Sequence, residues 1–135
     1  MRTILAFLTV LPACAVAVMA SEPPARVVSL APNLTAMIMV MGAQGSLVAV
    51  TPFCEAPDGI PRVSGGMQPD PEAVLGLAPD LVLCTSITPE PTRRQLARLG
   101  IRVEVIDATS LASITTAMSR LATLLGQPEP RLPQT

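Results

Sequence analysis

The chain has 135 residues, a net charge of −1, fifteen prolines, two phenylalanines and no histidine, tryptophan or tyrosine. This length bounds it to one domain or part of one, and without histidine it lacks the commonest general base, histidine-containing zinc sites and Ser-His-Asp or Cys-His catalytic groups. Nine arginines against ten acidic residues, with almost no aromatic side chains, also exclude the basic and stacking surfaces that bind nucleic acid, so we expect a non-enzymatic protein that binds no nucleic acid.

Residues 1–20 have the pattern of a secretory signal peptide. Arg2 supplies a positive charge, an apolar stretch follows, and the segment ends with small residues before a cleavage point after Ala20. This pattern predicts export to the periplasm. An alternative is a lipoprotein cleavage box ending at Cys14, which would give a lipid-anchored N-terminus. We therefore divide the chain into a signal peptide (1–20), a folded domain (21–127) and a proline-rich tail (128–135).

The first half of the domain alternates apolar strands with helical patterns. A strand is predicted at 27–30, and a helix at 34–41 follows with Asn33 as its N-cap and Gly42 as its stop. A second apolar strand at 47–50 leads into a loop over 53–68 that is rich in proline and glycine. The next predicted helix runs from Pro71 to residue 78, with Asp70 as its N-cap.

The second half repeats the same alternation. Strands are predicted at 81–84 and 103–106. Between them, Thr88 and Pro89 begin a helix that stops at Gly100. Ser110 caps a last helix, which has an apolar face at helical spacing and ends at Gly126.

The predicted strands are continuous apolar runs, which are typical of strands buried on both faces of a parallel sheet. We predict an α/β fold: a three-layer βαβ domain with a central, mainly parallel sheet of about four strands. Ligands of such sheets bind at the carboxyl edge of the strands. The loops expected there (31–33, 51–54, 85–88 and 107–110) are small, polar and stiffened by proline, and none pairs a nucleophile with a base, which favours a binding rim over a catalytic centre.

An ordered series of segments resembles the N-terminal lobe of the helical-backbone (class III) periplasmic substrate-binding proteins, which serve ABC importers of vitamin B12, ferric siderophores and haem. The resemblance is greatest to the vitamin B12-binding branch. The matching segments, in family order, are Arg26–Thr35, Gly42–Ala43, Leu47–Thr51, Pro61–Gly66, Pro71–Leu75, Leu77–Leu83, Leu96–Ile101 and Val105–Leu111.

The resemblance implies one lobe of a two-lobed protein whose ligand lies in the cleft between the lobes. Phe53 stands where B12-type members have an aromatic ligand contact, and a hydrophobic plug is the alternative interpretation. The family's tryptophans are replaced by glycine at 65–66 and by Thr85, so vitamin B12, a ferric siderophore and another metal chelate all stay open as ligands. The implied ligand-binding residues are Pro32, Asn33, Phe53, Gly66 and Thr85.

Glu72 matches a family carboxylate that docks on arginines of the membrane permease, so the resemblance implies an ABC permease as partner. The alternative is an acidic residue that merely stabilises the first turn of a helix. No cofactor or metal site is expected.

Cys54 and Cys84 both follow or end predicted strands, at the same edge of the sheet. They could form a disulfide in an oxidising compartment, or they could be two separate thiols. The second candidate function rests on them: a small exported thiol/disulfide or interaction protein, although no Cys-x-x-Cys motif is present.

Three prolines in residues 128–135 prevent the last helix from continuing into the connecting helix of the family. We therefore expect a solute-binding component truncated to one lobe. Since one lobe offers half of the cleft, weak or absent ligand binding is predicted for it in isolation.

Overall fold

The protein is described by a computed structural model that covers residues 22–63 and 68–130. The predicted signal peptide, Gly66 and the end of the tail lie outside the described residues, and no helix within them is long and apolar enough to cross a membrane. The strands are β1 (Val27–Ser29), β2 (Leu47–Val50), β3 (Leu81–Cys84) and β4 (Val103–Val105). The helices are α1 (Pro32–Val40), α2 (Pro71–Gly76), α3 (Glu90–Arg98) and α4 (Leu111–Leu125), and a 3₁₀ turn spans Gln44–Ser46.

The four strands form one sheet in the order β2-β1-β3-β4. All three neighbouring pairs are parallel. Strands β1 and β3 are fully buried, whereas the edge strand β4 is half-buried along its length. The predicted α/β fold with a parallel sheet of four strands is confirmed.

Two hydrophobic clusters cover the two faces of the sheet. Val27 and Leu83 belong to the first cluster, which packs under α1 and α4, whereas Val28 and Val82 belong to the second, which packs under α2 and α3. Neighbouring residues of a strand point to opposite faces, so the continuous apolar strands supply both clusters at once. The result is a three-layer domain with an α1/α4 face and an α2/α3 face.

Local signals placed two of the helix starts correctly. Asp70 caps α2, with its carboxylate accepting the Glu72 N–H (3.0 Å), and Ser110 caps α4. The prediction that Asn33 caps the first helix is wrong, because α1 begins at Pro32 and its N-cap is Ala31. Proline suits the first helical position, since its φ is preset and its missing N–H would have no partner there.

Helix α2 ends at Gly76, earlier than predicted, because Ala78 just beyond it has a left-handed backbone conformation (φ +48°) that cannot continue a right-handed helix. The Arg26 guanidinium donates to the carbonyl oxygens of Leu77 (2.6 Å) and Ala78 (3.2 Å). Asp80 in turn accepts the Arg26 backbone N–H through its carboxylate (3.0 Å). These bonds tie the segment before β1 to the connection between α2 and β3.

Candidate functional site

A cavity of about 380 Å³ opens at the carboxyl edge of the sheet. It lies where the strand order reverses between β1 and β3, the position at which ligands bind in open α/β sheets. All four loops that follow strands contribute to its wall. The lining residues are Leu30, Ala31, Pro32, Asn33, Thr51, Phe53, Pro69, Thr85, Ser86, Ile87, Thr88, Asp107, Ala108 and Thr109.

Four of the five predicted ligand-binding residues line this cavity: Pro32, Asn33, Phe53 and Thr85. Pro32 and Asn33 are exposed in the first turn of α1, and Thr85 is buried directly after β3. Gly66 lies outside the described residues. The structure therefore brings together the four that it describes.

Phe53 stands at the cavity rim with 65% of its surface exposed, so it is not a plug buried in the core. Its neighbour Cys54 is buried and holds the loop in place. The Cys54 Sγ lies 3.2 Å from the hydroxyls of both Thr35 and Thr51, and the Thr35 hydroxyl donates to Ser29 (2.8 Å). This buried network fixes the backbone next to the aromatic ring.

The same loop is fastened on its other side by Arg62. Its guanidinium donates to the carbonyl oxygens of Cys54 (2.9 Å) and Ala56 (3.2 Å). The backbone beside it pairs with the outer edge of β2 at Val50. Phe53 thus lies in a loop that is held by hydrogen bonds on both sides.

Asp107 and Ile87 are two of the cavity residues that were not singled out in the sequence, although the loops that contain them were. Asp107 follows β4, and its Oδ1 accepts both the backbone N–H (2.8 Å) and the hydroxyl (3.0 Å) of Ser86, which follows β3. Ile87 is 86% exposed on the same rim. Their positions directly after predicted strands were the available signal.

Glu72 is exposed in the first turn of α2 and does not line the cavity. Its carboxylate therefore lies on the outer surface of the lobe, apart from the cavity.

Cys54 and Cys84 are both buried, free thiols. Cys54 belongs to the cluster of the α1/α4 face and Cys84 to that of the α2/α3 face, so the disulfide that the sequence left open is not formed in the structure. Burial raises the pKa of the Cys84 thiol above its ordinary value. Two protected thiols on opposite sides of a sheet do not make the accessible pair that a thiol/disulfide protein requires. Among the described residues, no cluster of three side chains could hold a metal ion.

A four-stranded parallel sheet with a cavity at its carboxyl edge is the architecture expected for one lobe of a class III periplasmic substrate-binding protein, and solved periplasmic binding proteins share this fold over part of their length. The chain is similar to a periplasmic haem-binding protein from Pseudomonas aeruginosa, with 30% identity, a TM-score of 0.70, and coverage of 76% of this chain and 39% of that one. It is also similar to a periplasmic vitamin B12-binding protein from Vibrio cholerae, with 26% identity, a TM-score of 0.68, and coverage of 76% and 42%.

Among curated proteins, the chain is 33% identical over 110 residues to the vitamin B12-binding protein of Pectobacterium carotovorum. The aligned region covers 78% of this chain and 40% of that relative. No family model matches the sequence. The chain spans about 40% of the length of the curated relatives it matches. These findings confirm the resemblance to the class III periplasmic binding proteins, and all of the relatives named are binding proteins.

Proposed function

We propose that this chain is the ligand-binding lobe of the periplasmic solute-binding component of an ABC importer, and that it captures vitamin B12 or another metal chelate. The observation that carries the proposal is the cavity at the carboxyl edge, whose rim is rigidly held and largely apolar. Phe53 and Ile87 stand exposed on this rim at 65% and 86%. Large exposed apolar side chains around a concave site are typical of a ligand-binding surface.

The shape of the site suits one wall of a cleft. A cavity of about 380 Å³ is at the small end of ligand pockets, which span about 300–1,000 Å³. A flat chelate can lie on this rim with the Phe53 ring against its face, but its other face stays in water. Aromatic contacts of this kind contribute about 0.5–1.5 kcal/mol beyond burial.

The proposed partner is the membrane permease, and Glu72 is the proposed contact. Its carboxylate is exposed and lies outside the cavity, so it can pair with permease arginines without disturbing the ligand. Charged contacts of this type orient a complex and speed its formation. The signal-like residues 1–20 would deliver the lobe to the compartment where both partners are found.

The proposal is tested by titrating the isotope-labelled full chain with vitamin B12 and following the amide resonances by NMR. We expect shifts in the loops that line the cavity and a Kd between about 10⁻⁶ and 10⁻³ M, because a single wall covers one face of the ligand. The Phe53→Ala variant should weaken binding about fivefold to tenfold through loss of the aromatic contact.

Val40→Ala is the matched control, since Val40 is exposed at 78% but is not one of the cavity residues. It should bind like the parent chain. Resonance shifts that map away from the cavity would contradict the proposed site, as would equal losses of ligand affinity in Phe53→Ala and Val40→Ala. A sub-micromolar Kd would instead contradict the expectation that one lobe binds weakly.

A further inference from the structure

The described wall of the cavity carries a single ionisable side chain, Asp107. The other lining residues are apolar or neutral polar. Arg93 donates to the carbonyl of Thr88 (3.0 Å) but is not one of the lining residues. Asp107 is therefore the one ionisable group that the described wall presents directly to a ligand.

The Asp107 carboxylate is held in a fixed orientation. Both bonds from Ser86 end on the same oxygen, Oδ1. Among the described residues, Oδ2 has no protein hydrogen-bond donor. The side chain is exposed, so water satisfies this oxygen until a ligand displaces it. A ligand that covers Asp107 must then replace the lost water with a donor of its own.

This requirement separates ligands by the groups at their periphery. Covering one oxygen of a carboxylate without supplying it a hydrogen-bond donor is unfavourable, and a second anion beside it adds repulsion. A carboxamide N–H can donate to the free oxygen, whereas a carboxylate cannot. Corrinoids carry carboxamides around the ring, whereas haem carries two carboxylates.

We propose that Asp107 is a specificity-determining residue, which selects chelates rimmed by neutral hydrogen-bond donors, such as corrinoid amides, and rejects chelates rimmed by carboxylates. This inference rests on the proposed function and narrows its ligand class.

A second observation agrees with it. Haem iron is commonly held by histidine, tyrosine, cysteine or methionine. The whole sequence contains neither histidine nor tyrosine, and the described cavity wall contains no cysteine or methionine. The described wall thus offers haem neither an axial ligand nor a counter-charge.

The test compares two ligands with the same corrin ring: dicyanocobinamide, whose peripheral groups are amides, and dicyanocobyrinic acid, in which they are carboxylates. Both are titrated into the full chain by NMR. We expect the amide ligand to bind at least about tenfold more tightly, a difference of about 1.4 kcal/mol. In Asp107→Asn, which keeps the side-chain shape, this ratio should fall towards one.

Asp58→Asn is the matched control, because Asp58 is an exposed carboxylate of the 53–63 loop and is not one of the lining residues. It should preserve the ratio. The role of Asp107 would be overturned if the parent chain bound the amide and carboxylate ligands with equal affinity. It would also be overturned if Asp107→Asn and Asp58→Asn reduced the affinity ratio equally. If neither ligand shifts any cavity residue, the proposed function itself fails.

A measurement on the parent chain alone guards against a misfolded variant. If the discrimination is electrostatic, raising the ionic strength should shrink the amide preference by improving the binding of the carboxylate ligand. A preference that is insensitive to salt, together with an unchanged ratio in Asp107→Asn, would attribute the selectivity to shape.

Discussion

Pro23 packs against Gly126, the residue at which α4 ends. Gly126 has a left-handed backbone conformation (φ +63°), and a Cβ built there would lie 2.5 Å from the Pro23 Cγ. The glycine is therefore required twice, by its backbone angle and by the approach of a proline that is distant in sequence. The sequence indicated the first requirement, because glycine commonly follows a helix. The second depends on tertiary structure.

Comparison with another glycine separates the two requirements. Gly42 also has a positive φ (+72°), but a Cβ built there would meet nothing within 4 Å. We expect Gly42→Ala to cost about 1 kcal/mol of unfolding free energy, from backbone strain alone. Gly126→Ala should cost more, because it also displaces Pro23. Urea unfolding followed by circular dichroism measures both values.

The double variant Pro23→Gly/Gly126→Ala serves as the control for that contact. The double variant should be less stable than Pro23→Gly by about the same unfolding free energy that Gly42→Ala loses relative to the parent chain. If Gly126→Ala and Gly42→Ala cost the same, Pro23 exerts no constraint on Gly126.

At the scale of helices and strands, local chemistry predicted most elements but not all of their limits. All four strands were predicted from apolar runs, and two of them end one residue earlier than expected. The caps at Asp70 and Ser110 were predicted because an acceptor side chain precedes a helical pattern. The end of α2 was not, because it coincides with a left-handed conformation at Ala78, which alanine rarely adopts and which no local pattern indicates.

The cap of α4 permits a direct measurement at this scale. The Ser110 hydroxyl accepts the Ser113 N–H (3.2 Å), and the Ser113 hydroxyl accepts the Ser110 N–H (2.7 Å), which forms a reciprocal capping box. Replacing Ser110 with alanine should lower the unfolding free energy by about 1 kcal/mol. Thermal and urea unfolding of the variant provide the test.

Thr116→Ala is a suitable comparison, because Thr116 is exposed within the same helix. Alanine has the higher helix propensity, so this variant should be neutral or slightly stabilising. A Ser110→Ala variant as stable as the parent would mean that the capping box contributes nothing to the fold.

For the whole molecule, the position of the cavity was predictable from the sequence, whereas the arrangement of its charged group was not. Parallel strands bring their following loops to one edge, and this rule predicted that the loops containing Pro32, Asn33, Phe53 and Thr85 lie together. No local pattern indicates that Asp107 bonds Ser86 across two loops and becomes the charged group of the cavity. The same limit applies to the cysteines, since sequence placed both near one edge but could not assign them to opposite faces.

Global unfolding exposes Cys84, and this links stability to pH. Burial raises the pKa of the folded thiol, so the unfolded chain releases this proton at a lower pH than the folded chain does. The unfolding free energy should therefore be constant with respect to this group below about pH 8, and fall as pH rises above the ordinary thiol pKa of about 8.5. The decline should stop above the raised pKa of the folded state.

The composition makes this measurement unusually clean. The sequence has no lysine, tyrosine or histidine, and these are the side chains whose titration would otherwise overlap with that of a thiol. Urea midpoints of the parent chain and Cys84→Ala, compared from pH 7 to about 10.5, should converge as pH rises. A constant difference between them would show that the buried thiol has no part in the alkaline loss of stability.

The contact between Pro23 and Gly126 also has a practical use. The chain leads into β1 and leaves α4 at the amino end of the parallel sheet, whereas the cavity opens at its carboxyl end. A biosensor surface, bead or fluorescent reporter attached just ahead of residue 22 would thus be anchored at the amino end of the sheet, away from the cavity. The lobe could be immobilised in one orientation, with its cavity facing the solution.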